Sequence, residues 1–153
     1  MQILREFVNS KINLLLDCSI SRDELFDNLV GLTFKYILCN SNVSPSVILF
    51  ITDNYDCFIM HHKQDCCENV DIEDICGDLQ DLIDEPIVLS EGVSQSSNKE
   101  THEDGTWTFY KLATNKVYVS IRWFGASSYY SETADFEKIS ISKDKLINIL
   151  GID

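Results

Sequence analysis

Residues 61–84 read HHKQDCCENVDIEDICGDLQDLID, and whether this run is strand, helix or metal loop decides the fold. Its second half places Ile72, Ile75, Cys76, Leu79, Leu82 and Ile83 at helical spacing, with Glu73, Asp74, Asp78 and Asp81 on the other side. The pattern predicts one central amphipathic helix over residues 70–83 with an acidic outer face. Gly77 inside it costs about 1 kcal/mol relative to alanine and marks a place where another element comes close. Pro86 ends the helix.

Upstream, SVILFI (46–51) and CFIMHH (57–62) flank a short turn rich in Asp and Asn, the pattern of a β-hairpin. LTFKYILC (32–39) has the β-branched, aromatic and aliphatic content of a further strand. Residues 1–16 carry Leu4, Phe7, Val8, Ile12 and Leu15 at helical spacing and predict an N-terminal amphipathic helix. Ser21 followed by Glu24 has the form of a capping box, predicting a second short helix that stops at Gly31.

Downstream, PIVLS (86–90) reads as a short strand and the polar residues 92–105 as a loop. TWTFYKLA (106–113) and KVYVSIRWF (116–124) are two strong strands joined by a tight turn. Residues 129–141 give a last strand and residues 143–153 a short helix or a tail that docks on the sheet. Hairpins outnumber crossovers, so the predicted class is α+β with a mainly antiparallel sheet, the acidic helix at its centre and the N-terminal helix added. Residues 1–20 form that extension and residues 21–153 a single domain.

The chain has 153 residues, 44% of them hydrophobic, enough for one domain with a real core. No apolar run approaches the roughly 18 residues that a membrane crossing needs. The N-terminal stretch lacks the pattern of a secretory signal, so a cytoplasmic protein that does not enter membranes is expected. The net charge is −13, and no Lys or Arg lies between Lys63 and Lys99, where ten Asp and Glu residues fall. Direct binding to nucleic acid is therefore not expected. Such a charge suits solubility or a basic protein surface, with Glu73, Asp74, Asp78 and Asp81 as the candidate contacts. Cys18, Cys39, Cys57, Cys66, Cys67 and Cys76 make an even count. In a reducing compartment they are expected as free thiols.

Three readings compete for the opening stretch. His62, Asp65, Cys66, Cys67 and Cys76 are of the right types for zinc, although adjacent cysteines do not have the usual two-to-four-residue knuckle spacing. A thiolate nucleophile would gain from His62 and a following helix N-terminus, but Asp65, Glu68, Asp71, Glu73 and Asp74 would push its pKa up. The third reading is structural. His62 follows Phe58 and Met60 at period two, so it shares their strand face as a buried, hydrogen-bonded histidine.

A second cluster combines Tyr110, Lys111, Tyr118, Arg122, Trp123, Tyr129 and Tyr130. Aromatic residues and arginine dominate binding hot spots. Arg122 shares a strand face with Tyr118 and Ser120 and has the fork to hold a carboxylate or phosphate. Lys111, Arg122, Tyr129, Tyr130 and Glu132 are accordingly the candidate residues for an anionic small ligand. Against this, the aromatics also fit plain sheet packing, with Arg122 paired to Glu132 or Asp135.

The strings QDCCE, IEDICGDL, WTFYK, IRW and YYSE, in that order, resemble a family of small domains encoded by bacteriophages and their bacterial hosts, a domain of unknown function. The resemblance runs from about residue 29 to residue 139. It implies a phage or prophage setting and brings no activity. The function expected is a non-enzymatic binding protein, a counter-defence or host-takeover factor that meets a host protein or an anionic signal molecule. The alternative is a Cys/His enzyme or zinc protein built on HHKQDCCE. The N-terminal helix is expected to dock on the domain or to join two copies into a homo-oligomer.

Overall fold

The computed structural model describes residues 2–41, 45–62, 68–96, 105–127 and 133–152. Its elements are α1 (Gln2–Asp17), β1 (Ile20–Asp23), β2 (Phe34–Asn40), β3 (Val47–Thr52), β4 (Cys57–His61), β5 (Glu68–Cys76), β6 (Leu89–Ser96), β7 (Thr106–Ala113), β8 (Tyr118–Ser127), β9 (Asp135–Ser140) and α2 (Lys143–Leu150). Short 3-10 helices at Phe26–Leu29 and Leu79–Leu82 complete the described chain. All strand pairings are antiparallel. The fold is α+β, as the hairpin-rich pattern predicts.

The strands form two sheets, β1-β9-β4-β3-β2 and β5-β8-β7-β6. They pack face to face over Ile48, Phe50, Phe58 and Met60 from the first sheet and Val70, Ile72, Leu112, Ile121 and Trp123 from the second. The other face of the five-stranded sheet is covered by the helices, through Leu15, Leu146, Ile149 and Leu150 against Leu49, Ile51, Cys57 and Ile59. The result is three layers: helices, five-stranded sheet, four-stranded sheet. Strand β3, VILFIT, is buried at every position because alternate residues enter two different cores. That is why it reads as one apolar run rather than an alternation.

Residues 70–83 are not a helix. They are most of β5, then Gly77 at φ +98°, then the short 3-10 helix. The register against β8 shifts between Ile72 and Asp74, a β-bulge at Glu73. Val70 and Ile72 face the core two residues apart, and the extra residue puts Ile75 against the same core three residues on. A bulge thus produced the spacing that mimics a helix. Gly77 then turns the chain in a conformation unfavourable to other residues, with the Tyr118 carbonyl 3.0 Å from where a Cβ would stand.

Two smaller expectations also change. Ser21 lies in strand β1, paired with Ile139, so it caps no helix. The polar run after Ser90 continues as strand β6 to Ser96, because β7 supplies its pairing partner residue by residue. Among the described residues no helix is long and apolar enough to cross a membrane. Helix α1 docks on its own domain, with Leu15 fully buried and Ile12 and Leu16 packed alongside. Ser142 caps α2 by accepting a hydrogen bond from the Lys145 N–H.

Candidate functional site on the outer sheet face

Strands β7 and β8 alternate strictly. Thr108, Tyr110 and Leu112 point into the core from β7, and Val119, Ile121 and Trp123 from β8. The residues between them face outward, on the side of the four-stranded sheet away from the other two layers. Such a face is ordinarily polar. Here it carries Trp107, Phe109 and Lys111 on β7 and Tyr118, Ser120, Arg122 and Phe124 on β8.

The register brings these residues together. Trp107 stands opposite Phe124, and Phe109 opposite Arg122. On the flanks Asp74 lies opposite Arg122, Glu91 opposite Lys111, and Val93 opposite Phe109. The Trp107 and Phe124 rings meet with centroids 4.6 Å apart. The guanidinium of Arg122 lies over the Trp107 ring at 4.8 Å. Its Nε donates to Asp74 Oδ1 at 2.9 Å and its Nη2 donates to Asp74 Oδ2, a bidentate pair. Lys111 Nζ stands 3.8 Å from the Glu91 carboxylate. Arg122 is thus held from two sides, by a carboxylate and by an indole. Its remaining N–H groups make no hydrogen bond among the described residues.

The predicted site residues fall in different places. Lys111 and Arg122 share this face, and Asp74 joins them as a partner of Arg122 that the sequence reading, which offers Glu132 or Asp135, does not pair with it. Glu73 is exposed in the bulge, Asp78 accepts a hydrogen bond from the Gln80 N–H, and Asp81 lies exposed on the 3-10 helix. The four carboxylates therefore do not line one helical face. Tyr129, Tyr130 and Glu132 lie outside the described residues, as do Asp65, Cys66 and Cys67.

His62 is buried, and its ring Nδ1 donates to the Thr133 carbonyl at 2.8 Å, with Asp135 at 3.9 Å. This is the hydrogen-bonded histidine of the structural reading. Neighbouring His61 bonds Glu137 at 2.5 Å. His61 pairs with Val47, and adjacent Ser46 bonds Asp71 and Ile72. Cys76 lies four to five residues farther along β5, roughly 15 Å at about 3.3 Å per residue. His62 and Cys76 do not converge on one ion. Among the described residues no group of three or more His, Cys, Asp or Glu is placed to hold a metal. Cys18, Cys39, Cys57 and Cys76 are free thiols, and burial pushes the Cys57 thiol up to about 12. Tyr110, in the core beneath the site, is also raised to about 12, by burial and then by the Asp135 carboxylate.

Sequence reasoning passed over Trp107, Phe109 and Phe124 as site residues. The signal was present: Trp107 and Phe109 are in phase with Lys111, and Phe124 with Arg122. A cation marks the wet side of a strand, so aromatics in phase with it are outside.

The family model for a domain of unknown function, DUF7448, matches residues 27–136, and the chain belongs to that family. The match spans the described outer face from Asp74 to Phe124, while α1, β1 and α2 lie outside it. No curated protein and no solved structure matches the chain.

Proposed function

We propose that this member of the family is a non-enzymatic binding module that engages a protein partner through the outer face of its four-stranded sheet. The observation that carries the reading is the Trp107–Phe124–Arg122–Asp74 constellation, a tilted aromatic pair in contact and a pre-oriented guanidinium on a sheet face that no other layer of the described residues covers. Tryptophan, tyrosine and arginine dominate hot spots because they combine large contact area with directional bonds. Asp74 and Trp107 hold Arg122 in one orientation, so little side-chain entropy is lost when a partner's carbonyl or carboxylate meets its other N–H groups. Phe109, Val93 and Tyr118 extend the apolar area on either side.

An anionic small molecule is the weaker reading for this face. Both cations it would need already have a carboxylate beside them, Asp74 and Glu91. A Cys/His enzyme or zinc protein draws no support from the described residues, where His61 and His62 are committed to Glu137 and Thr133. The setting we propose, a cytoplasmic phage or prophage protein acting on a host protein, rests on the sequence resemblance.

A photo-crosslinking amino acid at position 109 of the full chain, incubated with bacterial lysate, tests the reading against W107A and R122A backgrounds. One discrete protein adduct is expected, weakened in both. A hot-spot loss of about 2 kcal/mol corresponds to roughly 30-fold in affinity. The melting temperature should barely move, because a pair exposed at 39% and 46% contributes about 0–1 kcal/mol to stability. Adducts that survive both substitutions unchanged would place the binding surface elsewhere.

A further inference from the structure

The two sheets end in four edge strands, β1, β2, β5 and β6, and three of them are short, partly occupied or, in β5, bulged and carboxylate-bearing. Strand β1 has four residues. The outer side of β2 is occupied by the Asp84 N–H on the Phe34 carbonyl and by Gln80 Nε2 on the Ile37 carbonyl. On β5 the Ile72 N–H is taken by Ser46 Oγ, and the Asp71 carboxylate receives the Ser46 N–H. Strand β6 differs. Among the described residues only its start is tied down, by Ser90 Oγ donating to the Phe26 carbonyl. From Gly92 to Gln95 the strand is exposed, and among the described residues its backbone pairs with β7 alone.

Open edges in monomeric proteins are usually protected by lysine, proline or bulges. The run GVSQS, 92–96, has no charge and no proline, and the β6–β7 register is unbroken. Its exposed apolar side chain, Val93, stands 46% accessible. The nearest carboxylate on the strand, Glu91, is beside Lys111.

We propose that β6 pairs antiparallel with β6 of a second copy of this chain, joining two four-stranded sheets into one across a twofold axis. Antiparallel pairing of a segment with itself is the isologous contact that a twofold axis generates, so no second surface is required. Charge selects this seam. Two chains of net charge −13 repel at most of their surfaces, and the neutral stretch from residue 92 to residue 96 is where like charges need not meet. The dimer would set the two copies of β7 three strand spacings apart, about 14 Å at about 4.8 Å per spacing. Both Trp107–Arg122 clusters would then lie on one continuous face. That last consequence rests on the proposed binding role; the seam itself does not.

Sedimentation velocity and native mass spectrometry of the full chain, from about 1 to about 100 µM, read the dimer directly. Neighbouring N–H groups on a strand point in opposite directions, so V93P and S94P are made side by side. One removes a β6–β7 bond and lowers the melting temperature; the other removes only an outward donor. The second should be monomeric with a wild-type melting temperature. V93K, which sets like charges across the axis without altering the backbone, should raise the dissociation constant at least about tenfold at low salt. W107A should remain dimeric, which separates the seam from the binding face. A wild-type chain that stays monomeric throughout the range overturns the proposal. So does a dimer unaffected by V93K and by both proline substitutions.

Discussion

Glu137 and Asp135 lie two positions apart on β9 and respond to the fold in opposite senses. Burial pushes the Glu137 carboxyl up, but hydrogen bonds from His61 and Ser21 and the charge of His61 outweigh it, leaving it below its ordinary 4.5. For Asp135 burial wins over the pull of His62 and His61, with Glu137 and Asp23 adding to the rise, so it sits above 3.8. The linkage signs follow. A lowered carboxyl contributes stability above its unfolded pKa and loses it as pH falls through the folded value. A raised carboxyl favours the fold at low pH, and that contribution is lost as pH rises through the folded value. Glu137→Gln should therefore flatten the loss of stability as pH falls below about 4.5, read from urea midpoints. Asp135→Asn should raise the midpoint at neutral pH relative to wild type. Parallel pH curves for wild type and Glu137→Gln would show that the His61–Glu137 bond contributes nothing to folding.

At the scale of elements, the bulge on β5 makes a sharp demand on the backbone. Glu73 is exposed, yet its residue keeps both Ile72 and Ile75 directed at the core. Glu73→Ala should be nearly neutral, within about 0.5 kcal/mol, as for other surface substitutions. Deleting Glu73 should cost several times more. Either Ile75, Cys76 and the turn at Gly77 change faces, or the pairing of Asp74 with Arg122 is lost. Equal urea midpoints for the deletion and the alanine variant would contradict this account. The same bulge shows what the sequence could and could not convey. The β7–β8 hairpin was legible because one of its faces is core and the other is solvent, which imposes period two. Strands β3 and β4 were legible as apolar runs because both their faces are covered. Strand β5 was not, since an extra residue at Glu73 turns period two into an apparent helical period. Strand β6 was not either, because Gly92, Ser94, Gln95 and Ser96 have little strand preference, and pairing with β7 decides their conformation. For the site, Arg122 and Lys111 could be named from residue type. Their partners Asp74, Trp107 and Glu91 depend on register, which the sequence does not state.

For the whole molecule the decisive feature is an asymmetry between the sheets. The five-stranded sheet has apolar residues on both faces, so it is soluble only as a middle layer. The four-stranded sheet closes one side through Trp123, Ile121 and Ile72, and the two helices close the other. The family match takes in the β2–β8 region but omits both helices, whose Leu15, Leu146, Ile149 and Leu150 cover the other face of the five-stranded sheet. Leu15 is the test residue, because it is fully buried where α1 meets the sheet and α2. Leu15→Ala removes its transfer free energy and leaves a cavity, a change that costs about 2–5 kcal/mol in well-packed cores. Since marginal domains hold only about 5–15 kcal/mol, that is a large share of the total. The loss should appear as a lower urea midpoint with an unchanged slope. Phe109→Ala, on the outer face, has no layer above it among the described residues and should cost clearly less. If Leu15→Ala proved as mild as Phe109→Ala, α1 would be an appendage, and Leu38, Leu49 and Ile51 would have to find cover elsewhere, in a second copy of the chain or in the partner.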